Sequence, residues 1–236
     1  MIASKKKLTT GILLMASFIG VLILIFLPIF GQGRNGLEFS DDLFNKLAKG
    51  SSYFIPKVQK EVATTTGKQI DVSIKFKDPN MAKTADILLA KVGATGAANG
   101  DLYEIKGDLG KMLSQVVTDS DSMYKDESKP VADFYGIDAK KALEGWHTML
   151  SAMIQPLQKQ KLIHEASVIN TVNQKAIEPA YNFYGIPAEH IGEKMVLVSG
   201  MLAFYLLYTV WYGFAIFDIF NGIGLSMTKS KMKKEG

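Results

Sequence analysis

Two stretches stand apart from the mixed polar and apolar positions that fill most of this chain. Leu8 to Phe30 and Met195 to Phe217 each hold 23 consecutive residues without a charge. At a helical rise of about 1.5 Å per residue either covers roughly 35 Å, enough to cross the hydrocarbon core of a bilayer. Both therefore read as transmembrane helices, 8–30 and 195–217, the second with room to extend to residue 227. They leave residues 1–7 and 228–236 as flanks and enclose one loop of 164 residues, 31–194.

Inside the loop the pattern changes several times. Ser40-Asp41-Asp42 suits the cap and acidic first turn of a helix that Gly50 ends, and Ser52 to Thr64 suits a second helix with Pro56 near its start. Ile70, Val72, Ile74 and Phe76 alternate with Asp71, Ser73 and Lys75, the two-residue period of a half-buried strand. Asp78-Pro79-Asn80 reads as a turn, Met81 to Val92 as a helix, Gly93 to Gly100 as a small-residue loop and Leu102 to Lys106 as a second strand. A helix from Leu109 follows, capped by Asp108. Strand, helix, strand at this spacing predicts a parallel pair joined by a crossover, and a sheet so small needs either a third, unrecognised strand of the chain or a partner to complete it.

From Val131 onward the period is helical. Ala139, Leu143, Trp146, Leu150, Met153 and Leu157 make an apolar stripe, with Pro156 expected to kink or end that helix. Leu162, Ala166, Ile169, Val172, Ala176 and Ala180 make a weaker one. Asp133-Phe134-Tyr135-Gly136-Ile137 recurs as Asn182-Phe183-Tyr184-Gly185-Ile186, which helix termination explains: glycine takes the left-handed position and isoleucine folds back. Pro187 is expected to start a helix running directly into the second span, coupling the domain rigidly to the membrane.

Charge orients the layout. Lys5, Lys6 and Lys7 precede the first span, and Lys229, Lys231, Lys233 and Lys234 follow the second, whereas the loop carries 20 basic and 21 acidic side chains. Positive flanks stay in the cytoplasm, so both termini are expected inside and the domain outside, periplasmic or extracellular in a bacterium. Short lysine clusters beside spans serve topology, and nucleic acid is not an expected partner. Ile29-Phe30-Gly31-Gln32-Gly33 offers no Ala-x-Ala cleavage motif, so the first span reads as an uncleaved anchor. The absence of cysteine excludes disulfides, thiolate metal sites and cysteine nucleophiles. The expected fold class is thus a mainly α membrane protein, with two transmembrane helices flanking an extracytoplasmic helical domain, 31–194, that carries a small βαβ-like α/β lobe.

Candidate chemistry is sparse. Glu144-x-x-His147 places a carboxylate and an imidazole on one helix face, as di-iron bundles do, but one forward copy falls short of such a site, and His190-x-x-Glu193 is reversed. His164 lies opposite its helix's apolar stripe. Gly93 to Gly100 lacks the Gly-Lys-Ser/Thr ending of a phosphate loop. Asp218 comes after about 35 Å of helix, at the expected headgroup level. No catalytic, cofactor or metal residue is assigned, and the chain is expected to be non-enzymatic.

The second span says more. Ser199, Ala203, Leu206, Val210 and Gly213 share one side of a helical wheel, and Tyr205, Tyr208 and Tyr212 share the other. Small residues let helices approach closely in lipid, so Ser199, Ala203 and Gly213 are expected to pack on Ala16 and Gly20 of the first span. The tyrosine face is expected to dock another membrane protein, because a mid-bilayer hydroxyl needs a partner. The reading is an accessory or scaffolding subunit of a bacterial inner-membrane complex, able to form homo-oligomers. Two alternatives share the layout. Chemoreceptor sensory regions are similar in topology, which suggests ligand sensing, although no output domain follows. Polysaccharide co-polymerases also flank a periplasmic α/β domain with two spans, but this loop is short for them.

Overall fold

The computed structural model describes residues 2–78 and 80–225. The lysines and glutamate at 229–235, and any extension of the second span to residue 227, lie outside the described residues. About 70% of the chain is helical, with one small three-stranded sheet. It divides into two units: Met1–Leu47 with Glu189–Gly236, and Ala48–Ala188.

The first unit contains two helices long and apolar enough to cross a membrane, α1 (Lys5–Phe26) and α10 (Ile191–Gly222). They run antiparallel and side by side: Leu8 lies against Gly222, Gly11 against Ala215 and Ile219, and Phe18 against Tyr208. At this pairing α1 ends about ten residues, roughly 15 Å, short of the far end of α10. Helix α2 (Gly36–Ser51) makes up that length. Gly36 sits against Ile25 and Phe30, while the Lys46 carbonyl accepts the Glu189 N–H at 3.1 Å. Its start differs from the sequence reading. Asn35, not Ser40, is the cap, accepting the N–H groups of Leu37 and Glu38 while Glu38 returns a bond to the Asn35 N–H. That reciprocal pair is a capping box written with asparagine.

The expected helix from Pro187 is absent. Residues 186–190 are non-helical and α10 opens at Ile191, with His190 extended at its N-cap. The Glu189 N–H donates instead to the Lys46 carbonyl.

In the second unit α3 (Ile55–Ala63), α5 (Leu109–Tyr124), α7 (Ala139–Lys159) and α8 (Ile163–Val172) pack around Trp146, Leu143, Met149, Leu150 and Met112, all fully buried. Helix α7 keeps its 3.6-residue stripe inward and passes through Pro156 for three further residues. Helix α6 (Ser128–Tyr135) ends at Gly136, left-handed at φ 71, as the repeated motif implied. Beyond α8 the chain widens into a π turn, Asn173–Ile177, before α9 (Glu178–Asn182).

The sheet corrects the strand reading. It has three strands in the order β1-β3-β2, and every adjacent pair is antiparallel, not parallel. They are β1 (Gln69–Ile74), β2 (Thr95–Asn99) and β3 (Leu102–Asp108), with α4 (Asn80–Lys91) between the first two. The third strand comes from the segment read as a small-residue loop. β1-α4-β2 does join strands of the same sense, but β3 is inserted between them. β2 is small because of its neighbour: a β-carbon at Gly96 would overlap the Tyr103 hydroxyl, which donates to Asp86.

Candidate functional site

The faces of α10 carry the chain's functional candidates, and its contacts with α1 decide which face does what. On the inner side Phe18 stacks on Tyr208, ring centroids 4.2 Å apart, and Tyr208 Oη donates to the Phe18 carbonyl at 3.0 Å. Tyr212 lies 5.1 Å from the same Phe18 ring, and Phe204 stacks on Tyr208. A mid-helix carbonyl of α1 therefore supplies the tyrosine hydroxyl with its acceptor.

The close backbone approach occurs elsewhere on that same side. A β-carbon at Gly222 would lie 2.6 Å from Leu8 Cα, and one at Gly11 would lie 2.6 Å from the Ile219 nitrogen and 3.0 Å from the Ala215 carbonyl. Lys7 Nζ stands 5.9 Å over the Phe217 ring, and the Gly222 carbonyl accepts from Ala3 and Ser4 N–H groups. Small residues thus do bring the two helices together, but they are Gly11, Ala215 and Gly222. Tyr208, Ala215 and Gly222 recur every seven residues, the signal by which the sequence could have revealed this stripe.

The residues expected to pack the hairpin fall on the other side. Ser199, Ala203 and Gly213 are exposed, and among the described residues nothing lies within 4 Å of a β-carbon placed at Gly20 or Gly213. Ala16 is exposed as well. Of the three tyrosines, Tyr208 faces α1 and Tyr212 borders it, while Tyr205 is 68% exposed. Gly213 joins Val210, Phe214 and Phe217 around a shallow apolar cleft of roughly 380 Å³. The structure therefore exchanges the two faces: Tyr208 belongs to the internal contact, and the small residues are left outward.

In the second unit Glu144 and His147 line a cleft of roughly 240 Å³ with Leu143, Ile177, Glu178, Tyr181 and Asn182. His147 Nε2 is 3.2 Å from Glu178 Oε1, on the far side of the π turn. Lys140 stands over the Tyr181 ring at 5.4 Å and the Tyr184 ring at 5.2 Å. His164 contacts Thr64 Oγ1 at 2.8 Å, and His190 stands at the N-cap position of α10 without a side-chain capping bond. Among the described residues no group of three or more histidine, aspartate or glutamate side chains is placed to share a metal ion.

Deeper in the same unit is a polar chain that periodicity could not show. Trp146 Nε1–H donates to Tyr135 Oη at 3.0 Å; Tyr135 donates to Asp119, which also accepts from Gln115 at 2.8 Å. Burial pushes the Asp119 carboxyl up, against the pull of those two donors, and pushes the Tyr135 hydroxyl up as well. The acceptor-rich end of this chain is sealed in the core and serves packing specificity.

Comparison with protein-family models, curated proteins and solved structures finds no match to this chain.

Proposed function

We propose that this chain is a non-enzymatic accessory or scaffolding subunit of a bacterial inner-membrane complex, anchored by α1 and α10 with both termini cytoplasmic and the 48–188 unit in the periplasm. The observation that carries the reading is the outward face of α10. Ser199, Ala203 and Gly213, with Val210 among them, form an exposed stripe opposite the side that α1 occupies, while the exposed Tyr205 stays on the tyrosine side. In lipid, where apolar surface alone drives little association, such a stripe favours close packing against another helix. The lysines of residues 5–7 and 229–234 support the orientation.

The test is native purification in mild detergent. The intact chain is expected to co-purify with other membrane subunits in fixed ratio, and an Ala203→Leu, Gly213→Leu variant is expected to lose them while keeping its own hairpin. Recovery of a lone chain or a pure homo-oligomer would contradict the proposal.

The His147–Glu178 cleft favours a second reading, a ligand-sensing module. A shift in unfolding temperature with small periplasmic solutes, abolished by Glu178→Gln, would support it.

A further inference from the structure

The second unit is joined to the rest of the chain twice, through the end of α2 and through the segment after α9. Both connections meet one carboxylate. Asp126 lies in the turn between α5 and α6, left-handed at φ 64. Its two oxygens each accept from Lys49 Nζ at 2.9 Å, and Oδ1 also accepts the Gly185 N–H at 2.7 Å. Lys49 is two residues inside the unit's first boundary and Gly185 three residues before its last.

The setting is built rather than incidental. Lys49 is 3% exposed although its partner is half-open to water. Its ammonium stands 5.4 Å over the Tyr124 ring, and the Tyr124 hydroxyl donates to the Lys49 carbonyl, so both ends of this residue are held. A buried lysine with its cation committed to one carboxylate is costly to leave unpaired. Gly185, left-handed at φ 80, presents its N–H from the second copy of the repeated aromatic-glycine motif.

We infer that Asp126 is a conformational clamp: it locks the incoming α2 end and the outgoing Gly185 turn to each other, so that the two connections tighten or release together. Lys49 orients the carboxylate, and the oriented carboxylate holds Gly185. Anything that displaces the α5–α6 turn then reaches both connections at once. This inference stands whether or not the helices of the first unit cross a membrane.

The test is amide hydrogen exchange on the full-length chain in detergent, read by mass spectrometry. Glycine accepts the left-handed backbone of residue 126, so Asp126→Gly removes the carboxylate without adding strain. It is expected to speed exchange about tenfold or more in peptides covering both 48–52 and 183–188, with α7 unchanged. Lys49→Met, which does not touch Gly185, is expected to speed the 183–188 peptide as well. An unchanged 183–188 peptide in Lys49→Met, or release of only one connection in Asp126→Gly, would overturn the clamp. Equal acceleration throughout α7 would also overturn it, since Asp126 would then support the whole fold.

Discussion

At the scale of single residues, Asp119 shows how a buried charge links stability to pH. Its carboxyl is 3% exposed, has two neutral donors and is pushed above its ordinary value by burial. A folded-state value above the unfolded one means that the native state holds the proton more tightly. The stability it contributes is present below the ordinary carboxylate range near pH 4 and is lost as pH rises through the raised value. Asp119→Asn is therefore expected to gain stability relative to the parent chain as pH climbs from about 4 towards 7, as denaturant titrations at several pH values would show. Tyr135→Phe should cost about 1–3 kcal/mol in the same measurement, because it strips Asp119 of a donor and leaves the Trp146 N–H unpaired. Trp146 was legible as a packing residue on an apolar stripe, whereas Tyr135 was legible only as part of a glycine-ended helix. Their bond was not, since it joins side chains of α6 and α7 whose angle no local pattern states. Glu165, held low chiefly by backbone hydrogen bonding and by Lys68 3.0 Å away, contributes the opposite dependence. Its stabilisation is present above the ordinary carboxylate range and is lost as pH falls through its lowered value.

At the scale of elements, what could be read depended on whether a segment's pattern came from its own packing or from a neighbour's demand. β1 was readable because Ile70, Val72 and Ile74 all turn inward. β2 was not, because Thr-Gly-Ala-Ala-Asn has no apolar alternation, and its Gly96 leaves room for Tyr103 on the adjacent strand. The same holds for α10, whose length and apolarity were plain while its faces were exchanged. A helical wheel places Ser199 opposite Tyr208 but cannot say which side the other helix takes. Phe18 settles that by stacking on Tyr208. Gly222→Leu is accordingly expected to break the α1–α10 contact, since its side chain would run into the Leu8 backbone. Gly213→Leu is expected to leave that contact intact. Crosslinking between single cysteines introduced on α1 and α10 would distinguish the two variants, and the cysteine-free chain makes such labelling clean.

At the scale of the whole molecule, two helices of 22 and 32 residues, both apolar enough to cross a bilayer, bracket a folded unit that holds its own core. The lysine flanks and near-neutral loop carry the proposed orientation, and everything said of partners depends on it. The most direct measurement is the accessibility of single cysteines at Ile2 and Asp101, both exposed, to a membrane-impermeant maleimide in cells whose outer membrane has been opened. The account predicts that Asp101→Cys is labelled at once and that Ile2→Cys is labelled only after the inner membrane is permeabilised. Prompt labelling of Ile2→Cys, or protection of Asp101→Cys once the outer membrane is open, would contradict it.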